Sequence, residues 1–441
     1  MLDLLSWAKR FVATPSVSRD GNVAIVRLAS ELLRSLGFEP RTDRVLDEGV
    51  EQFNVIVDLK PPGGAADAAE GLLLLTHLDT VPPGDLTAWT ATGGDPWQPT
   101  VDGDRLYGLG SADAKVDLVC KAAALASVDR ARLRRRVRLV GTFGEEIGLR
   151  GARHFAKRGG TRGFGYALIG EPSELAAIRA HKGYAVFEAR VRLPALGARG
   201  ALREWSFEGV AAHSSTPHLG RNAIDAAIER LQLSDVRGVT ALEGGGPVNV
   251  VPDRTRMAAC VAADGAEADV PAYDPAPLVA FQRAFSRLLS ELRSRTDSDF
   301  DPAYTVGNLG SIALREGVCT LRFDLRPIPG VAAADVVKPL EAFAEVVLVR
   351  ENPGLLTRAD AELVRLVSDA QQAVGLPRRV ATKATSTEAG LIAAHGLEVL
   401  VLGAGPSVGN VHKPNEHTRI SELALARDLY TEVLRALCVE A

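Results

Sequence analysis

The chain has 441 residues, 51 basic and 55 acidic, for a formal net charge of −4. That length exceeds what one ordinary core supports, so two domains are expected. The near balance of charge offers no positive field for nucleic acid and no basic amphipathic run for a membrane surface, leaving a small molecule as the expected partner.

The opening MLDLLSWAKRFVATPS carries Asp3, Lys9 and Arg10 at helical spacing and lacks the long apolar run and small-residue cleavage site of a secretory signal. No run approaches the ~20 apolar residues that cross a bilayer. Cys120, Cys260, Cys319 and Cys438 are scattered and form no CxxC pair, which suits reduced thiols rather than a disulfide framework. The chain reads as soluble and cytoplasmic.

Residues 22–36 space their apolar side chains three and four apart and stop at Gly37, a helix with a glycine end signal. Short apolar runs follow at 54–59, 72–76, 137–143, 166–170 and 397–403, with helical stretches at 115–128, 150–158 and 386–395 between some of them. Strands alternating with helices predict an α/β domain with a mostly parallel central sheet covered by helices. From Lys182 the texture changes: YAVFEARV alternates, 222–233 is helical, and RTRMAACVAA and CTLRFDLR resemble half-exposed strands. The expected division is a first domain over 1–181, an inserted smaller α/β domain over 182–330, and a return to the first over 331–441. The stretches 197–206 (GARGALREWS) and 264–277 read as loops or insertions.

Four of the apolar runs end in residues able to bind metal. LLLLT leads to His77 and Asp79, VRLVGTF to Glu145 and Glu146, YALIG to Glu171, and VLVLG to a loop holding His412. Ligands in open α/β sheets gather at the carboxyl ends of strands, so these distant residues can share one crevice. Asp113 joins them from the glycine-rich turn YGLGSADAK. Nitrogen and oxygen donors of this kind suit zinc, with cobalt or manganese as substitutes, and are too many for one four-coordinate ion. Two metals are the economical reading, with a carboxylate such as Asp113 able to bridge them. His77 needs an orienting partner, which Asp79 can supply. Of the adjacent Glu145 and Glu146, one can bind metal while the other serves as general base to a metal-activated water.

Each feature alone has a plainer explanation. An HxD after a strand is more often a polar loop pair, adjacent glutamates are usually solvated, and Glu416 suits loop hydrogen bonding better than ligation. The joint placement at strand ends is what favours a metal site.

With HLDTVP, YGLGSADAK, GEE, GEPS and VHKPNE in order, the chain resembles the dinuclear zinc deacylase and aminoacylase family, whose members include acetylornithine deacetylase, succinyl-diaminopimelate desuccinylase and glutamate-releasing carboxypeptidases. The resemblance implies a zinc-exopeptidase-like catalytic domain with an inserted lid used for homodimerisation. It implies two zinc ions held by His77, Asp113 (bridging), Glu146, Glu171 and His412, with Glu145 as base and Asp79 as orienting group. EGVAAHSSTPHLGRNAI resembles the lid motif whose histidine, here His213, reaches an active site to stabilise the oxyanion. GGGPVNVVPD makes Asn249 a substrate contact, and DLRPIPG makes Arg326 a grip for a substrate carboxylate. For Arg326 an ordinary pairing with Asp324 is the competing expectation. TSTEAG (385–390) departs from the commoner TDAR by Glu388 and Gly390, which favours an acetylornithine deacetylase-like enzyme. A desuccinylase, an acetyl-lysine or acetyl-citrulline deacetylase, a dipeptidase, a two-metal phosphoesterase and a catalytically silent metabolite-binding relative are the alternatives.

Overall fold

The computed structural model describes residues 2–62, 70–263 and 267–439. It comprises two units: Met1–Ala180 with Leu355–Lys383 and Thr387–Ala441, and His181–Gly354 with Ala384–Ser386.

At the centre of the first unit, strand Gly71–His77 lies between Val137–Thr142 and Phe164–Gly170 and runs parallel to both, and Glu398–Val401 extends the parallel set beyond Phe164–Gly170. Antiparallel strands flank this centre, Arg41–Asp47 and Val50–Leu59 on one side, Ala177–His181 and Leu355–Leu356 on the other. Every residue of Gly71–His77 and of Phe164–Gly170 is buried. That is the condition a near-continuous apolar run meets in a doubly covered sheet.

Because successive side chains point to opposite faces, the leucine run serves two cores at once. Leu72 and Leu74 pack with helices Leu4–Val12, Val23–Ser35, Asp117–Ala126, Glu362–Ala373 and Ile420–Cys438. Leu73 and Leu75 pack instead with Phe155 of helix Arg150–Lys157 and with Ala389 and Ile392 of helix Glu388–Ala393. The long C-terminal helix Ile420–Cys438 was not read from the sequence; its buried residues span the whole length of the helix without one narrow stripe.

The second unit is built on an eight-stranded sheet in the order Arg254–Val261, Ala195–Glu208, Ala268–Tyr273, Val236–Gly245, Val306–Arg315, Val318–Arg326, Tyr184–Arg192, Glu345–Asn352. Helices Ala223–Arg230 and Ala276–Leu292 supply Ile224, Phe281 and Phe285 to its core. Residues 197–206 are not a loop. They lie within strand Ala195–Glu208, which pairs first with Ala268–Tyr273 and then with Arg254–Val261. Glycines at 197 and 200 and an exposed polar face hid this strand, whose apolar side is carried by Trp205 and Phe207. Of the stretch 264–277, residues 264–266 lie outside the described residues, while 268–273 are strand and a helix begins at Ala276. The chain leaves the second unit after Gly354 rather than after 330, because Glu345–Asn352 pairs antiparallel with Tyr184–Arg192. Among the described residues no helix is long and apolar enough to cross a membrane.

One buried ion pair fastens helix Asp117–Ala126 to the central strands of the first unit. Lys121, wholly buried, donates to Asp117 Oδ2 at 2.9 Å, to the Leu75 carbonyl at 2.7 Å, to Thr76 Oγ1 at 2.9 Å and to the Leu168 carbonyl at 3.2 Å. Asp117 also accepts from Thr76 Oγ1 at 2.8 Å and from the Tyr430 hydroxyl at 2.7 Å. Gly170 leaves room for this cluster, since a Cβ there would meet Asp117 Oδ2 at 2.1 Å. Removing one partner strands the other charge in the interior, which costs about 3–5 kcal/mol. Lys121→Met should therefore lower unfolding free energy by about that amount in a urea titration; a loss below about 1 kcal/mol would show that Asp117 is not held by this lysine.

Candidate metal centre

The sheet register brings the ends of the parallel strands level. His77 stands opposite Thr142, and Thr76 opposite Gly170, so the segments after Thr142 and Gly170 leave the sheet beside His77. Those segments carry Glu145, Glu146 and Glu171. Asp113 arrives from the turn between strand Arg105–Tyr107 and helix Asp117–Ala126, where Gly110 takes a left-handed φ of +81° and a Cβ would meet the Lys115 side chain at 2.4 Å.

Asp113 sits between the two histidines. Its Oδ1 is 3.1 Å from His77 Nε2, and its Oδ2 is 3.1 Å from His412 Nε2. His77 Nε2 is also 3.7 Å from Glu171 Oε1, and His412 Nε2 is 3.0 Å from Glu146 Oε1. Two donor triads result, His77–Asp113–Glu171 and Asp113–Glu146–His412, with Asp113 common to both and the donor atoms of each within 4.8 Å. Glu145 joins a third grouping with His77 and Glu146, so the adjacent glutamates both face the cluster. His77 Nδ1 lies 3.0 Å from the Asp79 main-chain oxygen. A carbonyl only accepts, so Nδ1 carries a proton, which leaves Nε2, facing Asp113 and Glu171, as the nitrogen that could bind a metal.

Asp79 faces His77 and the adjacent glutamates together. Its carboxylate Oδ1 is 3.6 Å from His77 Nδ1, and its main-chain oxygen is nearer still. The carboxylate also accepts from Glu145 N at 3.1 Å, from Glu146 N at 3.3 Å and from Ser18 Oγ at 2.6 Å. Asp79 thus aims the two glutamates through their backbone. Ser18, far upstream in sequence, carried no signal of this role. Lys383, 3.6 Å from Glu171 Oε2, and the buried Glu388, which accepts from Thr142 Oγ1 at 2.7 Å, also border the cluster. Glu416 is in neither triad; its carboxylate accepts backbone N–H groups of the Asp113 turn, the loop hydrogen bonding expected of it.

Crowding perturbs several groups here. Burial, reinforced by the charges of Glu146 and Glu171, pushes the Glu145 carboxyl well up. Burial takes Glu171 up to about 7, with Lys383 pulling the other way, and takes Glu388 up to about 8. Burial opposes charge on both imidazoles, yet Asp113 and Asp79 raise His77 well above its usual value, and Glu146 and Asp113 raise His412 to about 11. Asp113 is held far below the carboxylate range against burial by His412 and His77. Buried acids and imidazoles that can relieve one another only by taking protons fit a pair of divalent cations in their donor chemistry.

The second unit holds the other candidates. Ser215 N donates to His213 Nδ1 at 3.1 Å. Asn249 is exposed, and its carbonyl accepts from Ser214 N at 2.9 Å. Arg326 is buried and donates from Nε to Asp324 Oδ2 at 3.1 Å and from Nη2 to Ser214 Oγ at 2.9 Å, its guanidinium 3.8 Å above the Tyr184 ring centre. The pairing with Asp324 is therefore present. Elsewhere His154 pairs with Asp43 at 3.1 Å, as a surface histidine does.

The family model of Peptidase family M20/M25/M40 matches residues 73–436. An acetylornithine deacetylase of Myxococcus xanthus is 27% identical over 446 residues, covering 97% of this chain and 95% of that protein. Among solved structures, aminoacylhistidine dipeptidase from Vibrio alginolyticus aligns with a TM-score of 0.70 at 18% identity, covering 99% of this chain and 97% of its own. The YXEP protein of Bacillus subtilis, a dinuclear metal binding peptidase, aligns with a TM-score of 0.51 at 14% identity, covering 98% and 96%.

The raised carboxyl groups give the metal-free protein a definite pH response. Glu171 and Glu388 bind protons more tightly folded than unfolded, so their contribution is complete below the ordinary 4.5 and is lost as pH rises through about 7 to 8. His77 and His412 act in the same direction from 6.5 upward, and the depressed Asp113 matters only at lower pH. Buried Lys115, pushed down to about 7, acts in the opposite direction above that pH, so the Tm of chelator-stripped protein should fall between about pH 5 and about pH 7, and saturating zinc should raise Tm more at the upper end. A stripped protein whose Tm is flat or rises across that range contradicts this account.

Proposed function

The chain belongs to peptidase family M20/M25/M40, and from that premise we propose that it is a two-metal amidohydrolase cleaving N-acyl amino acids in the manner of acetylornithine deacetylase. The observation that carries this reading is the Asp113 carboxylate, one oxygen turned to each donor triad. His77 and Glu171 would hold one ion and Glu146 and His412 the other, with zinc favoured by the mixed imidazole and carboxylate donors. When bound, the ions would lower the pKa of a shared water and polarise the acyl carbonyl.

Glu145 is the proposed base. It is buried, it lies beside the triads without being needed to complete either, and Asp79 fixes its backbone. It takes a proton from the water as the oxygen attacks the acyl carbon, then delivers that proton to the amine nitrogen as the C–N bond breaks. His213 is proposed to donate to the oxyanion. Its Nδ1 accepts from Ser215 N–H, so the neutral ring carries its proton on Nε2, the form that role needs. Asn249 and Arg326 are proposed substrate contacts, and the second unit a homodimerisation surface.

The substrate reading follows the relatives, since a protein named acetylornithine deacetylase matches along nearly the whole chain. A dipeptide substrate is the second reading, favoured by the fold's likeness to aminoacylhistidine dipeptidase. Phosphoryl transfer is disfavoured, because the relatives that match along the chain are named for amide and peptide cleavage.

Glu145→Gln should keep both zinc equivalents while losing about 10²–10⁴-fold in kcat; near-normal turnover would remove Glu145 from the reaction. A panel of N-acetylornithine, N-acetylcitrulline, N-acetyl-lysine, N-succinyl-diaminopimelate and dipeptides with zinc-loaded protein should rank N-acetylornithine first by kcat/KM. Faster cleavage of a dipeptide would overturn the deacetylase assignment in favour of the second reading.

A further inference from the structure

Glu416 lies between His412 and strand His417–Arg419 and ligates nothing in either triad. Its side chain is buried, and Oε1 accepts three main-chain N–H groups, from Gly110 at 3.0 Å, Ala112 at 2.9 Å and Asp113 at 3.0 Å. The Glu416 carbonyl accepts a fourth, from Gly108 at 2.9 Å. Immediately beyond it, His417–Arg419 pairs antiparallel with Arg105–Tyr107. A single residue thus ties the loop carrying His412 to both ends of the turn carrying Asp113. Its second oxygen, Oε2, is buried and makes no hydrogen bond, so the full capacity of the group is directed at the turn through Oε1.

We propose that Glu416 is a positioning residue that holds Asp113 as the carboxylate shared by two metal sites and governs the His412 site more than the His77 site. The inference rests on the two-metal reading above. The asymmetry follows from the supports of each triad. His77 and Glu171 are placed by strand ends that Glu416 does not touch, so only one ligand of that triad depends on it. Asp113 and His412, two of the three ligands of the other triad, stand on the two segments that Glu416 joins.

What matters to the joint is the accepting oxygen and its reach, since burial pushes this carboxyl up to about 8. Glu416→Gln replaces it with a neutral carbonyl and sets an amide N–H₂ among donors. Glu416→Asp keeps the carboxyl group but withdraws it by one methylene from the three N–H groups. Partners that orient ligands from behind typically change metal affinity by ~10–100-fold.

The test is a calorimetric zinc titration of the chelator-stripped full-length chain. The wild type should show two steps, and His412→Ala should abolish one, which identifies the His412 site. Both Glu416 variants should weaken that same step by ~10–100-fold while changing the other far less, whereas a general structural prop would lower Tm and leave the ratio of the steps unaltered. Wild-type steps in both variants, or equal weakening of both steps, overturns the proposal, as does failure of both variants to fold. If Glu416→Gln alone fails to fold, Glu416→Asp decides. A wild-type isotherm with a single equivalent instead refutes the two-metal reading, a result separable from any property of the variants.

Discussion

The Asp113 carboxylate, held between two imidazoles, is the constraint on which the first unit depends. Around it are gathered Glu145, Glu146 and Glu171, with Asp79 and Glu388 close behind. Two like charges ~4 Å apart repel by about 4 kcal/mol even at an effective dielectric of about 20. Such a cluster stays together only if its members are carried on elements rigid enough to resist that repulsion and if cations or protons relieve it. The strand ends meet the first requirement, because Gly71–His77 and Phe164–Gly170 are buried throughout and locked in register. Lys121 contributes beneath them, its ammonium binding the Leu75 and Leu168 carbonyls of both strands.

The parts of this arrangement that were legible in the sequence are those that periodicity and position reveal. The run LLLLT is uninterrupted because both of its faces are covered, and a strand of that kind ends where the chain reaches the sheet edge, so a polar His77 and Asp79 there stand out. The same logic exposes Glu171 and the pair Glu145–Glu146. Asp113 lies on a glycine-rich turn and His412 in a loop after the run VLVLG, so position rather than periodicity singled them out. The strand Ala195–Glu208 was illegible because one of its faces is solvated and glycines interrupt it, so neither alternation nor apolar content marks it. The segment 331–354 gave no boundary because Glu345–Asn352 is an exposed edge strand, and its membership is decided by pairing with Tyr184–Arg192, a contact distant in sequence.

Asp79 and Glu416 show why the role of a carboxylate cannot be assigned from its place in a motif. Both stand beside proposed ligands, and both accept main-chain N–H groups, Asp79 through each oxygen and Glu416 through Oε1, while neither is in a donor triad. A turn that projects a side chain into a crowded acidic pocket leaves its own backbone donors pointing elsewhere, and buried donors must be satisfied. A carboxylate placed behind the turn does this and fixes the direction of the projecting side chain at the same time.

The departure at TSTEAG can be understood in the same terms. Gly390 is buried within helix Glu388–Ala393, whose Ala389 and Ile392 pack against Leu73 and Leu75. The one carboxylate on this helix, Glu388, accepts from Thr142 Oγ1 at 2.7 Å. The helix thus packs behind the strand that ends in His77. A positive charge does still reach the acidic cluster from the strand just before it, where Lys383 lies 3.6 Å from Glu171. Positive charge thus comes to the centre from the strand, while helix Glu388–Ala393 serves the core behind His77.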